Sequence, residues 1–234
     1  MPVGGVAVSV PVPEHVHVCP QTLELEDRPD PTFNPCAVET DRGLLLVDTG
    51  VPGELDQWEA NLANVGFDLE DVWGVALTHQ DADHAGGLAA IGDAVDPVVF
   101  AHPTCAPYVD GRKQPVKIPE EDGRFPAAPV HAEVTDGTRF DTRAGPMEVV
   151  ETPGHAPGHV SYHFPEAEFL VSGDALHCPD GYLDGPRFPM NEDQAVESMR
   201  ELATREFDTT LCQHGGVVEE GTDALEGVLA DRED

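Results

Sequence analysis

Lysine is almost missing from this chain. Lys113 and Lys117 are the only two among 234 residues, and Lys plus Arg together number 12 against 45 Asp plus Glu, a formal net charge of -33. So few cations argue against nucleic acid or an anionic membrane surface as a partner, because phosphate recognition needs basic patches. Cysteine is also sparse. The five residues Cys19, Cys36, Cys105, Cys178 and Cys212 form no C-x-x-C pair, which predicts neither a disulfide framework nor a cysteine zinc knuckle and points to a reducing compartment. Cys178 and Cys212 read as small apolar fillers. No apolar run approaches the length of a membrane-spanning helix. The opening MPVGGVAVSVPVPEHVHV lacks a basic n-region and is broken by Pro11 and Pro13, so it does not read as a signal peptide. These absences together predict a cytoplasmic protein, with its oligomeric state left open.

The acidic residues recur along the whole chain and do not form one tail. High net charge can mark disorder, but apolar runs such as Gly43-Leu44-Leu45-Leu46-Val47 recur throughout. A folded surface this acidic repels itself, and salt near 1 M shortens the screening length to about 3 Å. The composition therefore predicts halophilic adaptation. The length suits one domain over residues 1–234.

Periodicity supplies the elements. Strands are expected over 33–39 and 43–48, joined at Thr40-Asp41-Arg42, and then over 72–78, 97–101, 147–151, 160–164, 169–172 and 209–213. Leu55, Trp58, Leu62 and Val65 mark a helix. Another is expected over 85–91, weakened by Gly86-Gly87. Asn191 with Gln194 opens a helix carrying Val196, Met199, Ala203 and Phe207 on one stripe, and a last helix begins near Thr222. Residues 103–131 form the least regular segment, rich in Pro, Gly and charge. Mixed strands and helices predict sheets between helix layers.

Four potential metal ligands, His79, Asp81, Asp83 and His84, crowd six residues just after a strand. His155, Asp174 and His214 each follow the end of another apolar run. If those strands are neighbours, their tips bring all seven side chains to one edge, where α/β folds place their sites. His159 and His177 read instead as hydrogen-bonded or packed, and His102, at a strand end, is open to a role behind the ligands or a structural one. Tyr182 is a candidate contact for a substrate oxygen.

The pattern His79-Gln80-Asp81-Ala82-Asp83-His84, followed by His155, Asp174 and His214, resembles the metallo-β-lactamase superfamily. Asp48-Thr49-Gly50 and Gly86-Gly87 match it too. The resemblance spans residues 15–220 and implies an αββα four-layer sandwich and two divalent metal ions. One ion would take His79, residue 81 and His155; the other would take Asp83, His84 and His214, with Asp174 bridging. Asp48 would orient ligands from behind. A hydroxide on the metals would attack a carbonyl or phosphoryl centre, and Asp83 would steer the proton. The departure is Asp81, where the family usually carries His. A carboxylate there keeps iron or manganese open beside zinc, the first assignment by family weight.

The implied activity is hydrolysis of a small ester, lactone or thioester. The helical domain that binds glutathione in glyoxalase II is not expected after His214. An iron-dependent oxidoreductase of flavodiiron or sulfur-dioxygenase type is the alternative, because flavodiiron proteins carry a carboxylate at the position of Asp81. A non-catalytic metal scaffold is the third reading.

Overall fold

Residues 12–25 and 29–232 are described by a computed structural model. The segment 1–11, which holds most of the opening stretch weighed above as a signal peptide, lies outside them. In chain order the strands are β1 Val16–Val18, β2 Gln21–Thr22, β3 Thr32–Phe33, β4 Cys36–Thr40, β5 Gly43–Val47, β6 Val72–Ala76, β7 Val98–Ala101, β8 Ala132–Glu133, β9 Arg139–Thr142, β10 Gly145–Glu151, β11 Val160–Phe164, β12 Phe169–Gly173, β13 Thr209–Cys212 and β14 Gly216–Val218. The helices are α1 Leu55–Asn64, α2 Ala82–Ala85, α3 Leu88–Val95, α4 Ala106–Val109, α5 Glu192–Leu202 and α6 Thr222–Asp231.

Two six-stranded sheets carry the fold, ordered β1-β4-β5-β6-β7-β8 and β14-β13-β12-β11-β10-β9. Strands β5 through β8 pair in parallel, as do β12 and β13. The remaining neighbours in the two large sheets are antiparallel. Alternation along β5 shows why the layers stack. Side chains point to opposite faces at every step, so Leu44 and Leu46 join Trp58 and Leu62 of α1 and Leu88 and Ile91 of α3 in one core. Leu45 and Val47 face the other way and pack with Val149, Tyr162, Phe164 and Leu211 of the second sheet. Beyond that sheet, Val150 and Leu170 pack with Met199, Leu202 and Leu225 of α5 and α6. Helix, sheet, sheet, helix is the expected αββα sandwich. Burying both faces explains why these strands read as continuous apolar runs.

Several expectations change in detail. The helix expected over 85–91 is two helices, because Gly86 and Gly87 approach other backbone closely: a Cβ on Gly87 would stand 2.5 Å from the Thr49 carbonyl oxygen. Asn191 caps α5 as expected, its side chain accepting from Gln194 N at 3.1 Å. The buried stripe of α5 is Ala195, Ser198, Met199 and Leu202. Val196 is only half-buried, and Phe207 packs from beyond the helix end. The edge strand β9 was not anticipated; its side chains alternate between exposed and half-buried, too little apolar contrast to mark it.

Cys178 and Cys212 are not separate fillers. They are joined as a disulfide with a Cα–Cα distance of 6.2 Å. Linear spacing hid the pair, since 34 positions separate them and only the return of β13 beside β12 brings them together. Cys19, Cys36 and Cys105 are free and buried.

Candidate metal centre

Each candidate ligand stands just past a strand's C-terminal end. Asp48 follows β5, His79 lies three residues after β6, and Asp81 precedes α2, which carries Asp83 and His84. His155 follows β10, Asp174 follows β12 at once, and His214 follows β13. The two sheets present these tips at one edge, and the seven candidate ligands converge there with Asp48 behind them. Ligand atoms of His79, Asp81 and His155 lie within 4.8 Å of one another, as do those of Asp83, His84 and His214 and those of His79, His84 and Asp174. Asp174 stands between the groups. Its Oδ1 is 3.2 Å from His84 Nε2, and its Oδ2 is 3.2 Å from His155 Nε2 and 3.4 Å from His214 Nε2.

Hydrogen bonds behind the centre fix the imidazole tautomers. Asp48, held at φ +61°, accepts from Thr78 N, Thr78 Oγ1 and His84 Nδ1, each at 2.7 Å. A carboxylate only accepts, so the Thr78 hydroxyl proton points to Asp48 and its oxygen accepts from His79 Nδ1 at 3.0 Å. His155 Nδ1 donates to the Arg187 carbonyl at 2.8 Å. Three rings thus spend their Nδ1–H groups on the protein and turn Nε2 inward. Among the described residues, His79 Nε2, His84 Nε2 and Asp174 Oδ1 are buried with no hydrogen-bond partner. Buried orphans of this kind are costly, and three around one point fit a cation ligand set of imidazole nitrogen and carboxylate oxygen.

The electrostatics agree. Burial raises the Asp174 and Asp83 carboxyl pKa values, but the facing His84 and His214 outweigh it and hold both below the usual range. Asp81 is likewise held down against burial, by His79 and His155 first and Lys117 after them. Burial opposes charge on His214, yet its hydrogen bonds to Asp174 and Asp83 push it up to about 9. His84 is also raised, by Asp174, Asp48 and Asp83 against burial. His79 and His159 move down, burial first and neighbouring imidazoles second.

His159 stays outside the cluster as expected, bonded to Thr152 Oγ1 and accepting from Asp174 N at 2.9 Å. His177 bonds the Gly185 carbonyl, and His102 pairs with Glu151 at 3.1 Å. Tyr182 is not drawn in: it is 68% exposed, and its hydroxyl makes no hydrogen bond among the described residues.

Two residues escaped the sequence reading. Gln213 donates to the Asp83 carbonyl at 2.8 Å and ties β13 to α2. Lys117 reaches in from the irregular segment to place Nζ 2.7 Å from Asp81 Oδ2 and against His155 Nε2. The signal for Lys117 was present: it is one of two lysines in a chain of charge -33.

Comparison with known proteins places the chain in a family. The model of the metallo-beta-lactamase superfamily matches residues 34–214. A hydroxyacylglutathione hydrolase of Ruegeria pomeroyi is 31% identical over 157 residues, covering 66% of this chain and 51% of that protein. The chain thus spans about half the length of that relative. A probable metallo-hydrolase of Bacillus subtilis is 27% identical over 206 residues, 74% of this chain and 75% of its own. Among solved structures, a metallo-beta-lactamase family protein of Thermus thermophilus superposes with a TM-score of 0.74 at 20% identity, over 94% of this chain and 79% of that one. A subclass B3 metallo-beta-lactamase of Bradyrhizobium japonicum gives 0.64 at 24% identity, over 86% and 76%. At these identities the structural likeness speaks for the fold. Among the described residues, no helix is long and apolar enough to cross a membrane.

Proposed function

The chain belongs to the metallo-beta-lactamase superfamily, and from that premise we propose that it is a metal-dependent hydrolase of a small ester, lactone or thioester. The observation that carries this reading is the inward set of bare acceptor atoms, His79 Nε2, His84 Nε2 and Asp174 Oδ1, each buried and without a partner. A divalent cation held by these residues would polarise a carbonyl and lower the pKa of water to about 7. The Ruegeria relative's name, hydroxyacylglutathione hydrolase, favours acyl chemistry over phosphoryl transfer. Zinc is the proposed ion, because imidazole supplies most of the donors.

The protein's own groups have separable roles. Asp48 and Thr78 lock the tautomers of His84 and His79, and the Arg187 carbonyl does the same for His155. Asp83 is the proposed proton carrier: its carboxylate is 3.1 Å from His214 Nε2 and its side chain is 27% exposed, so it reaches both the centre and water. The segments 103–131 and 178–190 flank the centre through Lys117 and Arg187 and form the proposed substrate pocket, with Tyr182 on its outer side. We further read the charge of -33 as adaptation to a salt-rich cytoplasm.

The test is a panel of esters, lactones and thioesters assayed with wild type and Asp83→Ala. Loss of turnover by roughly 100-fold or more in the variant is expected for a general acid–base group. Equal measurable rates would remove Asp83 as the proton carrier, and no turnover by either protein across the panel would leave a metal scaffold without catalysis. Asp81 favours one second reading, an iron oxidoreductase, since carboxylate ligands suit harder ions. Two irons with redox-sensitive visible absorbance would establish it, and a colourless zinc protein would remove it.

A further inference from the structure

Lys117 stands where one of the two metal ions would be held. Its Nζ contacts Asp81 Oδ2 at 2.7 Å and also His155 Nε2. Those two atoms, with His79 Nε2, make up one of the cation-sized groups at the centre. His155 commits its Nδ1–H to the Arg187 carbonyl, so Nε2 has a single lone pair to offer, and it accepts from the ammonium. A metal ion about 2.0–2.1 Å from that nitrogen would need the same lone pair and the same Asp81 oxygen. The two cations are therefore mutually exclusive.

The lysine is positioned, not wandering. Gln80, inside the ligand motif and fully buried, accepts from Val116 N at 3.2 Å and donates to Asp81 Oδ1 at 3.2 Å. It pins the backbone beside Lys117 to the carboxylate that Lys117 pairs with. The unusual residue at 81 is explained by the same contact, because a histidine there would give the ammonium no anion to pair with.

We propose that Lys117 replaces the ion of the His79, Asp81 and His155 group, leaving a mononuclear centre at Asp83, His84 and His214 with Asp174 beside it. This rests on the metal-hydrolase reading above. The ammonium keeps positive charge at the filled position and has a third N–H to offer a substrate oxygen.

The test is metal stoichiometry with location. Full-length wild type, Lys117→Ala and Lys117→Met are equilibrated with excess zinc, desalted and analysed for bound metal, and the ion is placed by anomalous scattering from crystals. One zinc per chain in wild type, at the Asp83, His84 and His214 group, and a second zinc in either variant between His79, Asp81 and His155, would support the inference. Two zincs in wild type, with Lys117 swung away, would overturn it and leave the hydrolase reading standing. A single zinc in wild type and in both variants would also overturn it. No zinc in any protein would remove the metal reading and this inference with it. The wild-type crystal alone decides the matter if neither variant folds.

Discussion

Asp48 Oδ2 stands 2.7 Å from Nδ1 of His84, and both side chains are buried. The pair crosses from the end of β5 to α2 and fixes which ring nitrogen faces the centre. Asn at position 48 keeps the size but can offer an amide N–H where His84 needs an acceptor. Asp48→Asn is expected to weaken metal affinity roughly 10- to 100-fold, as losses behind a ligand do. Competition with a chromophoric chelator measures it. An unchanged affinity would show that His84 needs no orienting partner.

His214 gives the metal-free protein a distinctive pH profile. Its folded pKa is raised from 6.5 to about 9. A raised pKa contributes stability that is complete below about 6.5 and is lost as pH climbs through about 9. An ion on the same nitrogen displaces that proton. Chelator-stripped protein should therefore lose melting temperature between these pH values, while loaded protein holds it, and metal uptake in this window should release protons. Parallel melting curves for the two forms, or no proton release by calorimetry in buffers of differing ionisation enthalpy, would contradict the assignment.

The acidic surface should make stability follow salt. Screening shortens from about 10 Å at 0.1 M to about 3 Å at 1 M, so self-repulsion among 45 acids fades over that range. Melting temperature is expected to rise steeply between about 0.1 and about 2 M KCl. A flat response would remove the halophilic reading.

Two glycines separate packing from propensity. A Cβ on Gly87 would press on the Thr49 carbonyl, whereas one on Gly92, in α3, meets nothing within 4 Å. Gly87→Ala should cost about 1–3 kcal/mol by overpacking. It should also disturb Thr49, whose backbone N–H and hydroxyl hold the His84 carbonyl at 2.7 and 2.8 Å. Gly92→Ala should stabilise by about 1 kcal/mol, the helix preference for Ala over Gly. Denaturant unfolding of both variants checks the contrast.

The convergence of the candidate ligand positions was legible because each polar cluster interrupts the chain just after an apolar run, and a buried strand followed at once by His or Asp has few purely structural explanations. The four layers were implied by the family resemblance those residues carry, and the structure shows the matching burial, with Leu44 through Val47 covered on both faces. What stayed hidden depends on distance in sequence. Lys117 meets Asp81 across 36 positions through an irregular loop, where no period constrains the path. The Cys178–Cys212 bond depends on a strand pairing that the spacing does not encode. The face of α5 was displaced by one residue, since Ala195 and Ser198 are too weakly apolar to outrank Val196 by composition.

The most direct measurement is hydrolysis by protein stripped with a chelator and then titrated with zinc. The account predicts no turnover of any ester, lactone or thioester in the stripped state, with rates recovering in step with bound metal and levelling off when the centre is full. Turnover that survives complete stripping, in protein shown by elemental analysis to hold no metal, would contradict it.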